Sequence, residues 1–170
     1  MFVITKAVAA DVEAICNIGA QTFTDAYSAY NTKEDLSEYI AYYFSKEKIA
    51  DELRMDNTGY YLCREKGEII GYLKLNFDIS CEAFAGSKVT ELQRIYVLKE
   101  YYRKKGGSIL MQYAVALCEN LQYEFIWLGV WKENKRALKF YDSCGFEIIG
   151  ERNFKLGSKV YDDFYLRKRL

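Results

Sequence analysis

Three bases stand directly before two glycines in Arg103-Lys104-Lys105-Gly106-Gly107-Ser108, and an apolar stretch with helical spacing follows. Residues of these types suit an anion: the bases supply charge, and the glycines let the anion come close to the backbone. Two familiar phosphate loops do not fit. The stretch has neither the GxxxxGK(S/T) spacing of the Walker loop nor the GxGxxG spacing of the dinucleotide fingerprint. A missing residue type limits the remaining chemistry, because the chain contains no histidine. Any general base is therefore a carboxylate, a lysine, a tyrosine, a cysteine or a relayed water. The five cysteines, Cys16, Cys63, Cys81, Cys118 and Cys144, include no CxxC pair. No metal site is expected from them, and free thiols in a reducing cytoplasm are.

Charge is unevenly spread along a chain that is neutral as a whole. Residues 1–60 hold ten acids against five bases, and residues 91–170 hold ten acids against fifteen bases. That asymmetry suits a cationic ligand near the first part and an anionic one near the second; it is equally the pattern of solvated surface. Direct nucleic-acid binding is a poor fit, since the bases cluster at the loop and near the C-terminus. No apolar run reaches membrane-spanning length, and the first residues do not read as a secretory signal.

The elements that must position these groups are legible from periodicity. With 51% hydrophobic and 28% charged residues over 170 positions, one globular domain spanning 1–170 is expected. Strand candidates are Phe2–Val8, Gly59–Arg64, Glu68–Phe77, Glu91–Val97, Phe125–Trp131, Phe146–Phe154 and Val160–Arg167. The second and third form a hairpin around Glu65-Lys66-Gly67. Helix candidates run from Asp11 to about Tyr27, Lys33 to Phe44, Lys46 to Met55, Ser108 to Leu121 and Asn134 to Ser143, the last ending at Cys144-Gly145. The pattern is mixed α/β (α+β). The basic loop joins the strand ELQRIYV to the helix near Ser108, so its free amides lie at a helix N-terminus, where backbone and dipole favour an anion.

Downstream, VWKENKRALKFYDSCGF resembles a signature of the GNAT N-acetyltransferase superfamily, V-x-x-x-N-x-x-A-x-x-x-Y-x-x-x-G-F, with Val130, Asn134, Ala137, Tyr141, Gly145 and Phe146 in place. The loop resembles the superfamily's other signature through Arg103 and Gly106, with Ser108 where a small residue is usual. The opening TKAVAADVEAI is similar to the family's start, with Lys6 in place of arginine. The stretches IWLGVWKEN and QRIYV look most like the bacterial PaiA-type group, which acetylates spermidine and spermine.

The resemblance implies a GNAT fold: a twisted, mostly antiparallel mixed sheet of six to seven strands, helices on both faces and a splayed central strand pair. It implies acetyl-CoA as co-substrate, held by Ile95, Tyr96 and Val97 along the pantetheine arm. Arg103, Lys104, Lys105, Gly106, Gly107 and Ser108 would hold the pyrophosphate, and Asn134 and Tyr141 would also touch the cofactor. Asn134 is equally a helix N-cap. Tyr141 would be the general acid at the leaving thiolate, since a phenol is protonated at neutral pH. A backbone N–H near Val97 would polarise the thioester carbonyl. Glu91 is the candidate base; a water relay is the alternative. Counting by twos, Glu91, Gln93, Ile95 and Val97 share one strand face if no bulge intervenes.

In this fold the first two helices overhang the thioester, so Asp25, Tyr27, Tyr30 and Glu34 are the expected contacts for a polyamine. Acetylation of a protein N-terminus, a lysine or another small amine, and a regulatory acetyl-CoA-binding module, stay open as alternatives. The expected partner is a small-molecule amine, with neither nucleic acid nor membrane, and a homodimer is left open.

Overall fold

The computed structural model describes residues 1–79, 84, 86–156 and 159–170. Cys81, one of the five expected free thiols, lies outside these residues. Strand β1 (Phe2–Lys6) leads into helices α1 (Val12–Tyr27), α2 (Lys33–Tyr43) and α3 (Lys46–Arg54). Two of these helices start where the sequence supplies a hydroxyl cap. Thr32 Oγ1 accepts from the Asp35 N–H at 3.1 Å, and Ser45 Oγ from the Lys48 N–H at 3.2 Å, each worth about 1 kcal/mol. Strands β2 (Thr58–Glu65) and β3 (Glu68–Phe77) form the expected hairpin. Its turn is two residues, Lys66 and Gly67, both at positive φ, which matches the twist of the strands.

The remaining elements are β4 (Val89–Val97), α4 (Gly106–Asn120), β5 (Phe125–Trp131), α5 (Lys135–Ser143), β6 (Glu147–Leu156) and β7 (Lys159–Arg169). They complete one seven-stranded sheet in the order β1-β2-β3-β4-β5-β7-β6. Every neighbouring pair is antiparallel except β4 and β5, which the crossover helix α4 makes parallel. The β4–β5 pairing covers only Val89–Glu91 against Phe125–Trp127. Beyond Glu91 the two strands part, which is the expected splay of the central pair.

Each face of the sheet carries its own core. On one face Leu110, Met111, Ala114 and Cys118 of α4 pack against Leu73, Leu75, Leu92, Ile126 and Leu128. On the other, Ile15, Ile18 and Phe23 of α1, Leu36 of α2 and Ile49 of α3 pack against Tyr60, Leu62 and Tyr72. This is the α/β GNAT architecture expected from the resemblance.

The expectation that Glu91, Gln93, Ile95 and Val97 share a face is corrected by a bulge. Lys74 pairs with Arg94 and Leu75 with Leu92, so Gln93 is an extra residue in β4. Leu92 therefore joins Ile95 and Val97 on the α4 face. Glu91 falls on the opposite face, with Arg94 and Tyr96.

Candidate active site

Where β4 and β5 separate, the sheet opens onto a cavity of about 570 Å³ that reaches both faces. Leu98 N–H donates to Ile70 O at 2.9 Å. By alternation Tyr96 and Arg94 also bond toward β3, which turns the N–H and C=O of Ile95 and Val97 toward the side β5 has left. These two residues offer an extended ligand a strand edge inside the protein.

At one end of the cavity stands the N-terminus of α4. The helix begins at Gly106, two residues before the sequence expectation, and its first backbone bond runs from Ile109 N to Lys105 O at 3.0 Å. The N–H groups of Gly106, Gly107 and Ser108 precede that bond, so they are the helix's unpaired donors. Lys105, rather than a glycine, takes the left-handed conformation at φ +66°, which costs a side-chain-bearing residue about 1–2 kcal/mol. The combination of a left-handed residue and the helical amides after it makes a concave anion site. Lys105, Gly107 and Ser108 line the cavity.

Arg103, Lys104 and Gly106 do not line it. The first two side chains are exposed, and Lys104 lies over the Tyr101 ring at 4.5 Å. Gly106 is buried, and a Cβ there would sit 3.2 Å from both Ile70 Cδ1 and Val97 Cγ1. This glycine lets α4 close on the sheet; Gly107 is the one beside the cavity.

Asn134, at the N-cap of α5, and Tyr141, within that helix, both line the cavity. Asn134 caps that helix, with Oδ1 accepting from Ala137 N–H at 3.1 Å; the cap leaves the amide nitrogen as a donor for a ligand. Tyr141 is half-buried between Phe140 and Phe146, with ring centroids 5.4 Å and 5.6 Å away. Burial, reinforced by the nearby Tyr27 and Cys144 side chains, pushes its phenol well above the ordinary value. The group is a proton donor throughout the neutral range.

Glu91 also lines the cavity, half-buried, and accepts from Asn76 Nδ2 at 2.7 Å. Tyr27 lines it as well, and burial together with the Asp163 charge raises its phenol to about 12. Asp25, Tyr30 and Glu34 lie outside the lining. Asp25 pairs with Lys99 at 3.0 Å, Glu34 is exposed in the first turn of α2, and Tyr30 meets Trp131 edge-on at 4.7 Å. Of the ten acids in residues 1–60, only Glu52 reaches the cavity. It is already engaged, holding Lys74 at 2.8 Å and accepting from the Tyr60 hydroxyl.

The sequence reading did not select Arg94, Arg152 and Asp163, which line the same cavity. Arg94 is 7% exposed and lies over the Phe44 ring at 4.4 Å. Arg152 crosses the backbone of Gly129, where any Cβ would meet its guanidinium. Asp163 had one legible signal. In KVYDDFY an acid alternates with Tyr161 and Tyr165 along an inward-facing strand side. Tyr102 and Arg136 also line the cavity, with the Arg136 guanidinium 3.9 Å from the Tyr102 ring centroid. Among the described residues no cluster of three or more His, Cys, Asp or Glu side chains could hold a metal ion.

Comparison with known proteins finds relatives over most of the chain. An uncharacterized N-acetyltransferase of Lactobacillus delbrueckii subsp. lactis is 29% identical over 160 residues, covering 94% of this chain and 92% of the relative. The spermidine N(1)-acetyltransferase of Thermoplasma acidophilum is 24% identical over 142 residues, covering 81% and 83%. Among solved structures, the PaiA N-acetyltransferase of Thermoplasma acidophilum in complex with coenzyme A superposes with a TM-score of 0.82 at 22% identity, over 100% of this chain and 99% of that one. The model of the acetyltransferase (GNAT) family matches residues 16–146, from α1 through α5. That match spans most of the chain, including the parted strands, the α4 N-terminus and Tyr141: the chain belongs to the GNAT family of N-acetyltransferases.

Proposed function

We propose that this chain, as one domain spanning residues 1–170, moves the acetyl group of acetyl-CoA to a primary amine of a polyamine such as spermidine or spermine, in the cytoplasm. The observation that carries the reading is the single cavity that joins the α4 amides, the open edge of Ile95 and Val97, and Tyr141. The α4 amides with Lys105 hold the pyrophosphate, with Arg103 and Lys104 adding charge from outside. Ile95, Tyr96 and Val97 bond and pack along the pantetheine arm, and the Asn134 amide nitrogen donates to it. Attack occurs directly in a ternary complex. The amine nitrogen bonds to the acetyl carbon, the carbon–sulfur bond breaks, and Tyr141 gives its proton to the leaving sulfur. Glu91 takes the proton the amine loses; a water relay, with no single residue as base, is the alternative.

The polyamine acceptor is supported by the likeness to the Thermoplasma acidophilum spermidine N(1)-acetyltransferase and by the aromatic walls of Tyr27, Tyr39 and Trp131. Free thiols at the described cysteines fit the cytoplasmic setting. The test is thiol release from acetyl-CoA over a panel of spermidine, spermine, a matched monoamine and peptides with free N-termini. Activity on the polyamines above the monoamine and peptides is the expected result. Preference for peptides would instead assign the chain to protein acetylation.

A further inference from the structure

Asp163 lies on β7 opposite Trp131 of β5 and Arg152 of β6. It shares its strand face with Tyr161, which packs in the α1–α3 core, so it belongs to the face on which an acceptor would enter. The residue is 5% exposed and lines the cavity. Its Oδ2 is 3.5 Å from Arg152 Nε, a loose ion pair rather than a hydrogen bond. Neither Asp163 Oδ1 nor Arg152 Nε has a hydrogen-bond partner. Buried carboxylate oxygens are almost always satisfied, so an orphan in a cavity wall marks the place of a donor brought from outside.

The surroundings say what kind of donor. A carboxylate only accepts, and it asks for N–H groups carrying positive charge. Tyr27, Trp131 and Phe154 line the cavity beside it; such rings attract a cation through their faces and bury the methylenes attached to it. Burial, opposed by Arg152, already holds the Asp163 carboxyl above its ordinary value. An ammonium arriving at the free oxygen would favour the charged carboxylate and so oppose that shift. Glu52 is bound to Lys74 and Glu91 to Asn76, so Asp163 is the least engaged acid lining the cavity.

We propose that Asp163 is the anchor for a non-reacting ammonium group of a di- or polyamine acceptor, whose aliphatic spacer lies along Tyr27, Trp131 and Phe154. The assignment rests on the amine-acetylating reading above and gives the acceptor a charge partner inside the cavity, a place Asp25 and Glu34 do not occupy.

The test compares wild type, Asp163→Asn and Asp163→Glu as full chains at saturating acetyl-CoA, with spermidine, 1,4-diaminobutane and butylamine as acceptors. In Asp163→Asn, KM for spermidine and diaminobutane should rise about tenfold or more, the worth of one charge-assisted bond. For both acceptors kcat should change little, and butylamine should be unaffected. Asp163→Glu should recover part of the loss. Calorimetric binding of acetyl-CoA and an unchanged melting temperature control for folding. Three results overturn the anchor: an unchanged KM for the diamine, an equal loss for butylamine, or a kcat loss with a displaced pH profile for all three amines, which would put Asp163 at the reacting nitrogen. A wild-type chain that binds acetyl-CoA yet acetylates none of these amines overturns the amine-acetylating reading together with the anchor; normal amine turnover with an indifferent Asp163→Asn variant overturns the anchor alone.

Discussion

The Tyr141 ring is held by Phe140 and Phe146, so its hydroxyl can be removed without moving what surrounds it. Tyr141→Phe should therefore fold normally and bind acetyl-CoA as before, while kcat falls roughly a hundredfold to ten-thousandfold, the range of general acid catalysis. Steady-state kinetics beside calorimetry check this, and unchanged turnover would remove Tyr141 from the mechanism. Because the phenol is raised by burial, the proton is present at neutral pH and is lost only as pH rises through the elevated value. The rate should show no basic limb from this group below about pH 10, the ordinary phenol value. Tyr141 and Asn134 could be named from the sequence because both are positions of the family signature the chain resembles, and one short helix with its N-cap carries that spacing into space. Asp163, Arg152 and Arg94 could not be placed together that way. They come from three strands whose meeting depends on the order β4-β5-β7-β6, which no local pattern records.

Among the elements, α4 and β4 depend on details one residue wide. Gly106→Ala would press a methyl group into Ile70 and Val97 at 3.2 Å, and overpacking of this kind costs about 1–3 kcal/mol. Urea unfolding should show that loss, and acetyl-CoA affinity should fall with it because the α4 amides move. A variant as stable as wild type would show that the contact yields freely. Helix and strand positions were readable from period and caps, as at Thr32 and Ser45. The bulge at Gln93 was not, and the reason is physical. In ELQRIYV strict alternation sets Leu92 apart from Ile95 and Val97, whereas all three are needed in the α4 core. Packing resolved the conflict by inserting a residue, and that insertion moved Glu91 to the other face.

For the molecule as a whole, one buried ionic cluster ties α3 to the sheet. Burial alone would raise the Glu52 carboxyl, but Lys74, the Tyr60 hydroxyl and Arg94 together hold it below its ordinary value. Lys74, at 4% side-chain exposure, is lowered to about 8 by burial, with Glu52 opposing. A depressed carboxyl contributes stability that is complete above the unfolded value and is lost as pH falls through the folded one. Glu52→Gln should then cost about 3–5 kcal/mol at neutral pH, because it leaves buried cations unpaired. The deficit should shrink in acid, where wild type also loses the charge. Denaturant melts at pH 7 and pH 3.5 measure it, and a pH-independent difference would contradict the ionic account.

The parting of β4 and β5 has a further consequence, for the lifetime of the protein. Past Glu91 the two sides of the sheet share no rungs, and a pantetheine arm bonded to Ile95 and Val97 would supply the missing ones. Acetyl-CoA should accordingly slow amide hydrogen exchange at Ile95 and Val97. At a hundredfold excess over Kd it should stabilise the chain by about 2.7 kcal/mol. Absence of protection at those two amides, with binding intact, would show that the arm lies elsewhere. Resistance to proteolysis would then follow the abundance of acetyl-CoA, so that a chain deprived of its co-substrate is degraded sooner than one supplied with it.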